Sequence, residues 1–334
     1  MYICANEPNK TKKSMKKFIL LCCLCVCLMV VCAQWVSSPD TETAYELVGK
    51  QKFGKAFTIM EKEALRGVAK AQFGLGLMYA DGLGVTQNTG RAVEWVEKAA
   101  NSDFSEAQTV LGRWYYAGQV VPQDCKKALM LLEKASKKNE KEAYHLMGNI
   151  YAEGKCAQQN YNKALLCYLS AGSLGYSDSW YNAAALYMNS WGTPQNTEKA
   201  IDAYVRAAYA GHKMAQFKIG LIYEQGAGVP QDLHKASIWY LKAAKDGVPE
   251  GQFAIGNLYF SGQGVEKDTK KAKEWFEKAA LQGFAPAQYN LGVMYYEGTG
   301  MKIDRKKAKE WLRKAAAQGH QEAQAALDSI PPER

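Results

Sequence analysis

Histidine is scarce in this sequence. The four residues, His145, His212, His234 and His320, stand apart, with no paired His, Cys or acidic spacing suited to a metal. Glycine-rich loops such as Gly226-Ala227-Gly228 lack the lysine and hydroxyl of a phosphate-binding loop, and so read as breaks between helices. The only Ser-x-x-Lys runs from Ser14 to Lys17, and no Ser-Asp-Asn or Lys-Thr-Gly accompanies it, which removes the serine acyl-transfer signature. From these absences we expect no catalytic residue, no metal and no cofactor.

Long apolar runs are also few, and the one that stands out is near the start. Residues 18–33, FILLCCLCVCLMVVCA, follow a cluster of Lys10, Lys12, Lys13, Lys16 and Lys17, the charge-then-apolar order of a secretory signal. Val31-Cys32-Ala33 offers small or short residues where a signal peptidase reads, so cleavage before Gln34 is expected. An uncleaved anchor is the rival, because the run is long for the apolar part of a signal. Met15-Lys16-Lys17 resembles a bacterial signal start, which makes Met15 a candidate true start. Val31 before Cys32 disfavours a lipoprotein.

Cleavage changes the charge and the cysteine count. Loss of five lysines and Glu7 lowers the formal charge from +9 to +5, too mild for a nucleic-acid-binding stripe. Six of nine cysteines leave, and only Cys125, Cys156 and Cys167 remain. An odd number cannot all pair; one disulfide, from Cys125 or Cys167 to Cys156, is open, and Cys167 reads as a small core residue.

What is present is a period. Tyrosine returns every 36 residues at Tyr79, Tyr115, Tyr151, Tyr187, Tyr223, Tyr259 and Tyr295. Alanine precedes most of them (Ala71, Ala107, Ala143, Ala215, Ala287), as does glycine (Gly76, Gly112, Gly148, Gly220, Gly256, Gly292). Asn or Asp recurs at Asn88, Asp124, Asn160, Asn196, Asp232, Asp268 and Asp304, with an alanine four residues later. A fixed period of this size marks stacked units that bury their apolar faces against neighbours.

Each unit reads as two helices. In the unit from Ala287, Leu291, Met294 and Tyr295 keep helical spacing until Gly298 and Gly300 interrupt it. Asp304 then sits at an N-cap, and Ala308, Trp311, Ala315 and Ala316 give the second helix its apolar stripe before Gly319. Pro249 and Pro286 suit the first turn of a helix. The recurrent glycine lets a neighbouring helix come close, which offsets its poor helix propensity. Lys55, Arg91, Lys127, Lys163, Lys199, Lys235, Lys271 and Lys307 form a basic ladder, more readily explained by stacking than by recognition.

The motif A-x-x-x-L-G-x-x-Y-x-x-G-x-G-V followed by D-x-x-K-A-x-x-W-x-x-K-A-A-x-x-G, nearly intact at Ala215 to Gly247 and Ala287 to Gly319, resembles the Sel-1-like repeat, a cousin of the tetratricopeptide repeat. The resemblance covers seven units, 71–106, 107–142, 143–178, 179–214, 215–250, 251–286 and 287–322, with a half unit at each end. It implies an all-α, right-handed α-solenoid of antiparallel helix pairs over residues 34–330, after a signal at 1–33 and before a short tail at 331–334. The middle units depart from the pattern. Ala183-Ala184 replace Leu-Gly, Ser190 replaces a loop glycine, and Cys167 and Ala203 replace tryptophan.

The resemblance also implies a role in binding proteins or peptides. Some secreted relatives staple each unit with a cysteine pair, which this chain does not. Others are described as penicillin-binding or weak β-lactamase proteins, which makes a cell-wall enzyme the alternative, set against the missing serine motif. Positions two, six and nine after the recurring alanine share one face of the first helix and vary between units. In tetratricopeptide-like stacks that face lines a concave groove. The expected partner-binding residues are Phe73, Arg113, Tyr116, Tyr181, Phe217, Phe253, Asn257, Phe260, Tyr289 and Tyr296. Two readings of the aromatics stand: binding anchors, or rings packed on the adjacent helix. We therefore expect a secreted or periplasmic scaffold with a protein or peptide partner, no nucleic acid, and no membrane after cleavage.

Overall fold

The computed structural model describes residues 36–192, 194 and 196–330; the signal segment and the tail lie outside them. Among the described residues there are seventeen helices and no strand. They are α1 (Pro39–Gly49), α2 (Phe53–Leu65), α3 (Ala69–Asp81), α4 (Thr89–Asn101), α5 (Ser105–Ala117), α6 (Cys125–Ser136), α7 (Lys141–Glu153), α8 (Tyr161–Ser173) and α9 (Ser177–Met188). The rest are α10 (Thr197–Tyr209), α11 (Lys213–Gln225), α12 (Leu233–Lys245), α13 (Pro249–Ser261), α14 (Thr269–Leu281), α15 (Ala285–Glu297), α16 (Arg305–Ala316) and α17 (Gln321–Ser329). Odd-numbered helices are the first of each pair (helix A) and even-numbered ones the second (helix B). The fold is an α-solenoid of helix pairs with a 36-residue period. The described residues form two compact units, one reaching Met147 with Lys155–Ala157 added, the other comprising Gly148–Gly154 and the described residues from Gln158. No described helix is long and apolar enough to cross a membrane.

Local chemistry sets the helix ends. Helix A stops at a left-handed glycine, with φ of 71° at Gly82, 68° at Gly118, 66° at Gly226 and 77° at Gly298. Ser190 takes the same conformation at φ 57° where its unit lacks that glycine. Helix B starts at the recurring Asn or Asp, whose side chain accepts from the N–H three residues on, at 3.0 Å for Asn88 and Asp304 and 2.9 Å for Asn160. The same residue's own N–H donates to the carbonyl of the periodic tyrosine, at 2.8 to 3.1 Å in all seven units. The loop is therefore closed from both sides. A glutamine after the recurring alanine adds a contact that sequence reasoning passed over. Gln72, Gln108, Gln252 and Gln288 donate to the carbonyls of Ala64, Ala100, Ala244 and Ala280, near the end of the preceding helix B.

The small residues mark the tight crossing. A Cβ placed on Gly292 would lie 2.8 Å from Leu312 Cγ and 3.3 Å from the Ala308 carbonyl oxygen, and one on Gly256 2.7 Å from the Phe276 ring. Gly292→Leu is expected to overpack this crossing and cost about 1–3 kcal/mol. A denaturation midpoint equal to that of the parent chain would contradict it.

One feature goes beyond the sequence reading, and a second decides between alternatives that reading left open. The leading half unit is a full pair, because α1 packs with α2. Its connection, Lys50–Lys52, is four residues shorter than the 82–88 loop, so α1 stands out of phase with every later helix A. Glu63 there replaces the alanine that is fully buried at Ala99 and Ala135. Burial pushes its carboxyl up, but hydrogen bonds from Ser38, at 2.8 Å, and Arg66, at 2.9 Å, hold it below the usual carboxylate range.

The second feature is a disulfide between Cys125 and Cys156, with Cα atoms 4.9 Å apart. In the other units, except where Val120 stands, the loop position of Cys156 is a glycine seated against the first residue of the preceding helix B. A Cβ on Gly84 would meet Phe53 at 2.6 Å, and one on Gly192 would meet Tyr161 at 2.6 Å. The bridge thus replaces a backbone contact that recurs elsewhere. Cys167 is free and half-buried, its thiol pushed up to about 11 by burial.

Candidate partner-binding face

The basic ladder is occupied within the frame. From Arg91 to Lys307, each ladder cation lies 5.0 to 5.8 Å from the ring centre of its unit's periodic tyrosine. Lys127, Lys235, Lys271 and Lys307 also pair with the capping aspartates at 3.2 to 3.8 Å. The backbone N–H of Lys271 is the main cause that holds the Asp268 carboxyl below its ordinary range. A side chain placed on its own helix cap and tyrosine is engaged within its own unit.

The ten expected residues fall into two groups. Phe73, Tyr181, Phe217, Phe253 and Tyr289 are half-buried and wedged into the stack. Phe253 lies 5.7 Å from Phe276 on its own helix B and 5.4 Å from Phe284, the cap of the next helix A. Tyr181 stacks on His212 at 4.3 Å and meets Tyr204 at 5.4 Å, Tyr289 stacks on His320 at 4.8 Å, and Phe217 lies 5.6 Å from Tyr240. Phe73 pairs with Phe104 at 5.5 Å. His212 accepts from the Ala215 N–H, and burial lowers its basicity despite Asp178 nearby. Two histidines that read as lone residues are therefore lids over tyrosine rings.

The second group faces outward. Phe260 is 38% exposed and Tyr296 36% exposed. In the first unit Arg113 pairs with Glu142 on the next helix A at 2.9 Å, and Tyr116 is half-buried. Asn257 accepts from Asn290 Nδ2 at 3.2 Å. Phe260, Tyr289 and Asn290 line a cleft of about 230 Å³ floored by Phe276 and Met294, with Val293 and Glu297 on its wall. The structure thus brings Phe260, Tyr289 and Asn257, through Asn290, to one place on α13 and α15. It does not place Phe73, Arg113 or Tyr116 there. Asn290 was outside the expected set because it stands three residues after the alanine. The signal that could have found it is Asn149 and Asn182, the same pair of positions three repeats earlier. Among the described residues no group of His, Cys, Asp or Glu could hold a metal ion.

The Sel1 repeat model matches residues 69–104, 105–140, 141–176, 178–212, 213–248, 249–284 and 285–320. The chain belongs to the Sel1 repeat family. Each Sel1 repeat but the fourth begins on the first residue of a helix A, two residues before the frame set by the alanines. A protective antigen of uropathogenic Escherichia coli with an SLR fold is 30% identical, with a TM-score of 0.74 over 82% of this chain and 59% of that one. This chain therefore spans less than two thirds of that antigen. A Sel1 repeat protein of Oxalobacter formigenes is 30% identical, with a TM-score of 0.70 over 91% and 90% of the two chains. A signal-transduction ATPase of Pyrococcus horikoshii with a tetratricopeptide repeat sensor, 14% identical, shares the fold alone, at a TM-score of 0.52 over 86% of this chain and 47% of that one. No curated protein matches. Sel1 and tetratricopeptide-like repeats commonly mediate protein–protein interaction, and the Sel1 scaffold is generally non-catalytic.

Proposed function

We propose that this chain is an exported Sel1 repeat scaffold that binds a protein or peptide partner through the helix A face of α13 and α15, with no catalysis of its own. The observation that carries the reading is the cleft beside Phe260, an aromatic left outside on a face where the neighbouring rings are packed. Half-buried Tyr289 and Asn290 hold its wall rigid, so little order is lost on binding. Affinity capture on the mature chain, run beside Phe260→Ser with Tyr296→Ser, tests it. Capture is expected to fall at least about tenfold in the variant, with helicity kept. Equal capture would contradict the reading.

Export is supported by the lysine cluster and apolar run before Gln34, by a disulfide, which persists in oxidising compartments, and by similarity to a bacterial protective antigen. N-terminal sequencing of the chain from an exporting host is expected to begin at Gln34. An intact chain held in the membrane would replace the signal with an anchor.

A further inference from the structure

Asn257 and Asn290 sit on consecutive A helices, and Asn290 Nδ2 donates to Asn257 Oδ1 at 3.2 Å. That bond uses one amide donor group and one acceptor, leaving the Asn257 nitrogen and the Asn290 oxygen. Turning both carboxamides about leaves the same complement, one N–H group and one oxygen side by side. A peptide unit presents their counterparts, a carbonyl and an N–H.

The same two positions carry Asn149 and Asn182 three repeats earlier, and the contrast is informative. There Tyr168, on the intervening helix B, donates its hydroxyl to Asn149 Oδ1 at 2.8 Å. The corresponding residue between Asn257 and Asn290 is Phe276, which has no hydroxyl to give. At the equivalent places other repeats have Leu77, Leu221 and Ala254, so stacking does not require asparagine. Polar capacity is therefore left open at a pair that borders an apolar cleft.

The cleft complements this. At about 230 Å³, walled by Phe260 and Val293 and floored by Phe276 and Met294, it has the size and polarity for a single apolar side chain. Glu297 stands at its wall with only the Thr299 hydroxyl against its carboxylate, at 3.3 Å, and no lysine or arginine pairs with it among the described residues. A cation beside the apolar side chain would meet that charge.

We infer that the cleft takes an extended polypeptide segment. Asn257 and Asn290 hold one of its peptide units, an apolar side chain fills the space beside Phe260, and a lysine or arginine lies next to it against Glu297. This rests on the reading that the helix A face binds the partner, and adds the partner's form and chemistry. A lipid chain would leave the carboxamides unused, and a folded domain offers free peptide units only at its loops and sheet edges, whereas an extended segment offers them along its length.

Selection of short peptides of randomised sequence on the immobilised mature chain tests the inference. Selected peptides are expected to share an aliphatic or aromatic residue beside Lys or Arg. N-methylation of the peptide bonds flanking the apolar residue, or Asn257→Leu with Asn290→Ala in the protein, is expected to weaken binding at least about tenfold, the loss of two hydrogen bonds. Because other repeats carry those same residue types, melting should be unchanged. Peptides that lose binding on Phe260→Ser but are indifferent to the asparagine changes and to N-methylation would overturn the extended-segment inference while leaving the face as the site. So would the selection of no peptide when capture of a folded partner still depends on Phe260 and Tyr296. Binding indifferent to all of these changes would overturn the reading of the face as well.

Discussion

Replacing Phe253 and Tyr289 together by alanine is expected to destabilise the second unit by about 3–5 kcal/mol, roughly half the cost of two fully buried rings. Read along one helix, these residues look like exposed anchors whose loss would spare the fold. In the structure each ring spans a joint: Phe253 touches both Phe276 and Phe284, and Tyr289 lies under His320. Truncation opens a gap between one helix pair and the next, and Gly256 and Gly292 allow little slack for collapse at the same crossings. Urea unfolding followed by circular dichroism measures it. A parent-like midpoint combined with lost partner capture would show that the rings face the partner and not the stack.

Loss of the disulfide is expected to have a comparable effect in the first unit. The bridge joins residues 31 apart, and closing a loop of that length in the unfolded chain corresponds to about 3–4 kcal/mol by chain entropy. Cys125→Ser should lower the urea midpoint in oxidising buffer, and added reductant should bring the parent chain to the same value. Cys167→Ser should change little, since that thiol is a half-buried packing group. A parent midpoint insensitive to reductant would contradict the assignment of the bridge. Spacing alone could not choose between Cys125 and Cys167 as the partner of Cys156. What chooses is the seat of the loop on the first residue of the preceding helix B, a contact between units that no single unit encodes.

The same distinction separates what was legible in the sequence from what was not. Period, helix pairs, caps and the tight glycine crossing are local or nearest-neighbour properties, and Tyr79 to Tyr295, Asn88 to Asp304 and Gly76 to Gly292 spell them out. The helix starts lay two residues earlier than the alanine frame, because Ala71 marks where helix A meets its neighbour and not where it begins. The α1 helix was missed because its short connection takes it out of the period. Helical spacing groups these positions on one side of helix A, but it cannot say which of its rings the next unit covers. Covered rings stand second after the alanine, beside the cap of the following helix. The outward Phe260 and Tyr296 stand ninth, near the end of theirs.

Amide hydrogen exchange on the mature chain, with and without the partner it captures, tests the central claim most directly. Bound partner should slow exchange in α13 and α15, strongest around Asn257–Phe260 and Asn290–Glu297, with α14 and α16 unchanged on their outer faces. Protection confined to the helix B segments, or to the loops around Trp191, would place the binding surface elsewhere and contradict the account.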